Sequence, residues 1–147
     1  MNIFYVHFRS FSCYNTKVNA FCIQNTSKRR DCVKIAVIGS RSLCEVDLEK
    51  YMPVEVTEIV SGGAKGVDQC ARAYATDHGL VLTEFLPDYS RYGLGAPLRR
   101  NEEIVRYADM VLAVWDGKSS GTRHVINLCN KLQKKMMVIE VKGGTEI

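Results

Sequence analysis

Two glycine-bearing turns of the sequence have the residue types and spacing of an anion-binding site. Each turn follows a short apolar run and precedes a candidate helix, so backbone N–H groups and the positive end of a helix dipole point at one place. The first turn comprises Gly39, Ser40 and Arg41, and the second comprises Ser61, Gly62, Gly63, Ala64, Lys65, Gly66 and Asp68. Two such turns on neighbouring strands predict a site for one phosphorylated ligand.

A third turn follows a later apolar run and adds hydroxyl and N–H groups to this site. It contains Asp116, Gly117, Ser120, Gly121 and Thr122, and an ordinary helix cap explains these residues equally well. The glycine spacing matches neither G-x-G-x-x-G nor G-x-x-x-x-G-K-S/T, which argues against an ordinary NAD dehydrogenase and against a P-loop protein. The three turns together favour ligand binding over simple chain reversal.

The polar side chains beside these turns each allow two interpretations. A cation at Arg41 opposes the dipole of the predicted next helix, so it needs a partner, either a ligand phosphate or a carboxylate such as Asp68. Lys65 either neutralises the same phosphate or is solvated. An acid at Asp68 is favourable in the first turn of a helix with or without a ligand. Arg100 and Asn101 begin a later predicted helix beside the same edge.

A long segment rich in turn residues, 88–97, has the length and position of an active-site lid. Within it, Tyr89 or Tyr92 either stacks on a nucleotide base or packs on the surface. The three histidines of the chain are isolated from spaced carboxylates and cysteines, so we predict no metal site. No cofactor is predicted beyond a nucleotide-derived ligand.

The elements that must position these turns alternate between strands and helices. Apolar, β-branched runs predict parallel strands, and stripes of apolar residues at helical spacing predict the helices. The predicted strands are 34–38, 57–60, 81–86, 110–115 and 135–141, and the predicted helices are 65–78, 97–108, 122–133 and a shorter one at 45–52. This order predicts an α/β, Rossmann-like, doubly wound and mostly parallel sheet of about five strands, with helices on both faces.

Charge and cysteine content divide the 147 residues into a tail and one domain. Residues 1–32 contain five basic side chains and one acid, which is the whole net charge of +4, whereas the 15 basic and 15 acidic side chains of residues 33–147 cancel. A neutral domain lacks the charge of a nucleic-acid binder. The six cysteines form no C-x-x-C pair and no run approaches a membrane span, so we expect a cytoplasmic protein without a membrane partner.

The tail, residues 1–32, is predicted to be a disordered or non-native extension. The pair Arg29-Arg30 followed by Val33 fits codons AGG-AGG and GTG, a bacterial ribosome-binding site before an alternative start codon. The gene's nucleotide sequence tests this hypothesis directly, and a disordered native tail is the alternative. Either way, we predict that the folded domain covers residues 33–147.

The combined motifs resemble those of the SLOG superfamily, and within it the small bacterial YspA/YpsA-like branch. The similarity covers nearly all of residues 34–141 and depends on Gly39-Ser40-Arg41, the turn from Ser61 to Asp68, Arg100-Asn101, Ala108-Asp109, Trp115-Asp116-Gly117 and Ser120-Gly121-Thr122. The resemblance implies a Rossmann-like fold that binds or senses a nucleotide-derived ligand, similar to ADP-ribose. The turns at 62–66 and 120–122 would hold phosphate, and a homo-oligomer is possible.

Two related families supply alternative functions. The Lonely-guy phosphoribohydrolases, which cleave nucleoside 5′-monophosphates, carry P-G-G-x-G-T-x-x-E, but this chain has Val125 at the glutamate position and lacks the Pro-Gly-Gly lead. A carboxylate would stabilise a cationic ribosyl transition state, so its loss argues against this enzyme. The DNA-processing protein A family shares the first two turns and binds single-stranded DNA. The neutral domain argues against that partner.

Overall fold

A five-stranded, all-parallel sheet forms the centre of the protein, as described by a computed structural model for residues 32–142. Its strands are β1 (Val33–Gly39), β2 (Val56–Ser61), β3 (Val81–Glu84), β4 (Met110–Trp115) and β5 (Lys135–Glu140). Their order across the sheet is β3-β2-β1-β4-β5. This order and the helical connections confirm the predicted Rossmann-like α/β fold. The predicted tail lies outside the described residues, apart from Cys32.

Helices cover both faces of the sheet, because alternate strand residues point to opposite sides. On one face, Ile35 and Val37 of β1 pack against α1 (Val67–Asp77). On the other face, Ala36 and Ile38 pack with residues of α3 (Ala96–Tyr107) and α4 (Ser120–Leu132). The core is apolar on both sides, which explains why the strands read as nearly continuous hydrophobic runs.

The order of the strands changes side at β1: β2 and β3 follow on one side of it, and β4 and β5 follow on the other. The first three strands progress from β1 toward the β3 edge, and β4 then pairs with the opposite side of β1, with Gly39 aligned to Val114. The carboxyl ends of these two central strands are therefore followed by connections that diverge. In open parallel sheets, this is the place where ligands bind.

One predicted helix is wrong, the short one at residues 45–52. The chain there forms turns instead: the Asp47 carboxylate accepts a hydrogen bond from the Glu49 N–H, and the Tyr51 N–H bonds the Leu48 carbonyl. Such local side-chain bonds compete with helical ones. Leu48 of this segment is buried against the same core as α1. The segment covers the sheet without becoming helical.

The predicted lid contains short helical turns rather than irregular loop. Residues Tyr89–Tyr92 form a single-turn helix, α2, in which the Asp88 carboxylate accepts the Arg91 N–H as a cap, and Gly93–Gly95 forms a 3-10 turn that leads into α3. Across residues 32–142, no helix is both long and apolar enough to cross a membrane. The same residues contain no cluster of three or more His, Cys, Asp or Glu side chains suited to a metal ion.

Candidate functional site

A cleft of about 920 Å³ opens at the carboxyl edge of the sheet, where the connections that follow β1 and β4 diverge. All three predicted turns and the start of α3 contribute to its wall. The predicted site residues that line it are Gly39, Arg41, Gly62, Ala64, Asp68, Arg100, Asn101, Asp116, Ser120, Gly121 and Thr122. The structure therefore brings together residues as distant in the sequence as Gly39 and Thr122, which are 83 positions apart.

The turns after β1 and β4 are joined by hydrogen bonds beneath the cleft. The Ser40 N–H donates to the Val114 carbonyl at 3.0 Å, and the Asp116 N–H donates to the Ser40 hydroxyl at 3.1 Å. The Ser42 hydroxyl donates to the Asp116 carboxylate at 2.8 Å. Ser40 is completely buried, so it holds the two turns together rather than contacting a ligand.

Asp116 shapes the loop between β4 and α4. Its Oδ1 accepts the Ser119 N–H at 2.7 Å and the Lys118 N–H at 2.9 Å. These bonds favour the ionised carboxylate, so the Ser119 N–H first, then the Lys118 N–H and the Ser42 hydroxyl hold the pKa of Asp116 well below its usual range. An aspartate with this much bonding is a structural anion, and it fixes where α4 begins.

The first turn of α4 leaves backbone donors open to the cleft. Ser119 caps the helix, with its hydroxyl accepting from the Thr122 N–H, and its carbonyl accepts from the Trp115 indole at 3.0 Å. Ser120 and Gly121 are the first two helical residues, so their N–H groups have no acceptor within the helix. Neither N–H group has another acceptor within residues 32–142. Unpaired donors at a helix N-terminus attract an anion.

Two exposed cations line the cleft near these donors, Arg41 and Lys118. Neither forms an ion pair with a carboxylate of the described chain. Of the two partners that the sequence allows for Arg41, a ligand phosphate or Asp68, the Asp68 carboxylate does not pair with it. The positive charge of Arg41 acts on Arg100, whose pKa is lowered first by burial and also by Arg41. Two guanidinium groups that repel each other beside open N–H donors give this part of the cleft a positive potential.

The turn after β2, by contrast, uses its polar groups internally. The Gly63 N–H donates to the Ser61 hydroxyl at 3.2 Å, and the Ala64 N–H donates to the Asp68 carboxylate at 3.0 Å. The buried Arg100 guanidinium donates to the Gly62 carbonyl and, at 3.1 Å, to the Phe85 carbonyl. Its Nε donates to Asn101 at 3.0 Å. This turn is therefore held in shape by protein groups.

Glycine is required in the β2 turn for close packing. A Cβ at Gly62 would collide with the buried guanidinium group of Arg100, which hydrogen bonds hold in place. Gly66 has a φ of 76°, and a Cβ there would lie 2.7 Å from the carbonyl oxygens of both Ser40 and Arg41. The second glycine presses the β2 turn directly against the β1 turn. Glycine is therefore needed at these two positions because other parts of the protein lie against them.

Asp68 is buried beneath the cleft, with only 5% of its surface exposed. Burial raises the pKa of this carboxyl, and the Ala64 N–H and the charge of Arg100 oppose the rise. The shift is opposite to that of Asp116, although both aspartates accept backbone N–H groups. Asp68 is a buried acid that organises the β2 turn and faces the floor of the cleft.

Six predicted residues do not line the cleft: Ser40, Ser61, Gly63, Lys65, Gly66 and Gly117. Ser40, Ser61 and Gly66 support the turns from below, and Lys65 is exposed elsewhere on the surface. The prediction missed nine lining residues, namely Ile38, Ser42, Leu94, Pro97, Leu98, Ile104, Lys118, Ser119 and His124. Lys118 and Ser119 lie inside the third turn and Leu94 and Pro97 inside the predicted lid, so their signals were present in the sequence.

His124 is a missed residue with an unusual environment. Its Nε2 is the only buried side-chain nitrogen or oxygen without a hydrogen-bond partner among residues 32–142. The ring lies one helical turn after Ser120, on the side of α4 that lines the cleft. Only this spacing of four residues from the third turn could have indicated it in the sequence.

The position corresponding to the phosphoribohydrolase glutamate points away from the cleft. Val125 is fully buried in the core cluster that contains Ala36 and Val60 of the sheet. The aspartates of the lining, Asp68 and Asp116, are both bonded to backbone N–H groups. Within the described residues, the cleft therefore presents no carboxylate free of such bonds.

Comparisons with known proteins do not assign the chain to a family. No protein-family model, curated protein or solved structure gives a significant match to the chain.

Proposed function

We propose that the cleft binds a phosphorylated, nucleotide-derived ligand, similar to a nucleotide or to ADP-ribose, and that the protein is a binding or sensing domain of the SLOG type. One observation carries the proposal. The open N–H groups of Ser120 and Gly121 lie beside two unpaired cations at the switch point of a parallel sheet. Backbone donors, a helix dipole and mobile positive charge are the groups that hold phosphate in other proteins.

The phosphate is held at the start of α4 rather than at the β2 turn. Gly63 and Ala64 already donate their N–H groups within the protein, whereas Ser120 and Gly121 do not. Arg41 and Lys118 reach the phosphate from the β1 and β4 turns and neutralise its charge. Lys65, which does not line the cleft, is left out of this arrangement.

An enzyme and a DNA-binding protein are the alternatives, and the residues favour neither. Val125 is buried where glycosidic-bond cleavage would need a carboxylate, and both lining aspartates are engaged. Residues 33–147 have no net charge to attract a polyanion. Product assays on nucleoside monophosphates and salt-dependent titration with oligonucleotides test these two alternatives separately.

The binding proposal is tested by thermal shift and calorimetry with ADP-ribose, NAD, AMP and cyclic nucleotides. We expect at least one to bind, and Arg41→Gln to weaken that binding about tenfold, because a charged hydrogen bond contributes about 1.5–3 kcal/mol. Arg106→Gln is the matched control, since Arg106 is an exposed cation of α3 outside the cleft. Absence of binding by all four ligand types, or equal effects of the two substitutions, would overturn the proposal.

A further inference from the structure

Five apolar side chains form part of the cleft wall, beside the polar Arg100 and Asn101 of α3. The five are Leu94, Pro97, Leu98 and Ile104 from the 3-10 turn and α3, together with Ile38 at the end of β1. The cleft is therefore lined by cations and open N–H groups and also by hydrocarbon side chains. A ligand that contacts both kinds of surface must itself carry an anionic group and a flat or apolar group.

We propose, on the basis of the function proposed above, that Leu94 and Leu98 bind the nucleobase of the ligand. The ligand class is thereby narrowed to nucleotides that retain the base, as opposed to base-free sugar phosphates. In this arrangement the phosphate lies at Ser120 and Gly121, and the base lies against the two leucine side chains. Leu94 and Leu98 are specificity-determining residues outside the glycine turns.

The exposure of Leu94 is the main observation. Its side chain is 98% exposed although it borders the cleft, and Leu98 is 45% exposed. A large apolar side chain that packs against nothing in the protein gains free energy when a ligand removes it from water. Its position on the cleft, rather than on an open face of the molecule, indicates which ligand group would cover it.

The aromatic residues of the same segment are not part of the cleft wall. Tyr89 and Tyr92, which the sequence offers as stacking partners for a base, do not line the cleft. The Tyr92 ring is within 5.1 Å of the Arg91 guanidinium carbon and 5.9 Å of that of Arg99, so cations already occupy its neighbourhood. Leucine and proline side chains are therefore the apolar surface that the cleft presents to a base.

The cleft also has room for more than a phosphate. A volume of about 920 Å³ lies within the range typical of pockets that enclose whole organic ligands, and it greatly exceeds the roughly 30 Å³ of one water molecule. In the 3-10 turn, Leu94 lies between Gly93 and Gly95, and a Cβ added at either glycine would meet no atom within 4 Å. The backbone on both sides of Leu94 is therefore uncrowded.

The test compares AMP with ribose 5-phosphate, which has the same phosphate and sugar but no base. We expect Leu94→Ala and Leu98→Ala each to weaken AMP binding about tenfold, because a buried leucine side chain makes a contribution of that size. Binding of ribose 5-phosphate is expected to be unchanged. Val54→Ala is the matched control, because Val54 is also 98% exposed and lies outside the cleft.

The outcomes separate this inference from the function that it extends. If the protein binds AMP and both leucine variants bind it as tightly as the wild type, the base lies elsewhere and only the inference is lost. If the protein binds neither compound nor any other nucleotide, both proposals fall. If Leu94→Ala changes the oligomeric state in analytical ultracentrifugation but leaves AMP binding intact, a second copy of the chain covers the patch and the inference is wrong.

Discussion

The turn after β2 and the turn after β4 look alike in the sequence but differ in how they use their polar groups. In the β2 turn, Gly63 and Ala64 donate to Ser61 and Asp68, and Arg100 occupies the Gly62 carbonyl. In the β4 turn, the Asp116 carboxylate accepts the Lys118 and Ser119 N–H groups. The N–H groups of Ser120 and Gly121, at the start of α4, have no acceptor among the described residues. The turn with more glycines is thus the more closed one, and glycine content here reports close packing rather than ligand contact.

The two aspartates of these turns show the same difference in their electrostatics. Burial raises the pKa of Asp68, whereas hydrogen bonds in a more exposed loop lower the pKa of Asp116. The β2 turn is therefore an internal part of the protein with a costly buried charge. The β4 turn is a surface loop that presents a helix N-terminus.

The largest expected effect is the loss of Arg100, which would break the closed turn. Arg100→Met leaves the Gly62 and Phe85 carbonyls without their donor and removes the charge nearest to Asp68. Each unsatisfied buried polar group costs about 1–3 kcal/mol, so we expect a loss of roughly 3 kcal/mol or more in the free energy of unfolding. Urea denaturation followed by circular dichroism measures it.

The neighbouring arginine provides the control for this substitution. Arg99 has an exposed side chain that pairs with Glu102 on the surface of α3, so Arg99→Met should cost less than about 1 kcal/mol. Similar losses for the two variants would mean that Arg100 does not organise the β2 turn in solution.

The fold was predictable from the sequence because it depends on local periodicity. The five strands and the three long helices follow from alternating and helical apolar patterns, while the error at 45–52 comes from a turn fixed by Asp47 and by burial of Leu48. The internal use of the β2 turn was not predictable. It depends on Arg100, which lies 38 residues beyond Gly62, and no local pattern encodes which of two turns that side chain reaches.

The sequence predicts the position of the cleft but not which of its residues are polar donors and which form an apolar surface. The carboxyl edge follows from the order of strands and turns, and most of its predicted residues do line it. The apolar wall around Leu94 was missed because leucines in a loop carry no motif. Their significance comes from exposure beside the cleft, which only the three-dimensional arrangement supplies.

A smaller effect, on ligand affinity, is expected when a methyl group is added beside the unpaired N–H groups at the start of α4. A Cβ at Gly121 would meet no atom within 4 Å, so Gly121→Ala should fold normally and gain up to about 0.5–1 kcal/mol of helix stability. The same methyl group lies beside the N–H donors and should weaken binding of a nucleotide phosphate about tenfold, or about 1.4 kcal/mol. Calorimetric titration of both proteins measures the change.

The control for this variant lies on the same helix. Asn130→Ala also replaces an exposed residue of α4 by a better helix former, but at the far end from the cleft. It should leave ligand affinity unchanged. If Gly121→Ala binds the nucleotide as tightly as Asn130→Ala, the phosphate is not held at the start of α4.

The smallest effect is expected in the pH dependence of stability, where the contributions of the two aspartates should have opposite signs. Asp116, with a lowered pKa, contributes stability that is present above its ordinary value of 3.8 and is lost as the pH falls. Asp68, with a raised pKa, is most favourable in the protonated form, and its contribution declines as the pH rises through the folded-state pKa above 3.8.

Urea unfolding of Asp68→Asn and Asp116→Asn between about pH 3 and pH 6 measures these two contributions. Relative to the wild type, the free energy of unfolding should rise with pH for Asp68→Asn and fall with pH for Asp116→Asn. The loss of hydrogen bonds in each variant shifts its curve by a constant and leaves the sign of the slope unaffected. Slopes of the same sign would show that the two turns do not differ in burial, because only burial of the Asp68 charge reverses its linkage to pH.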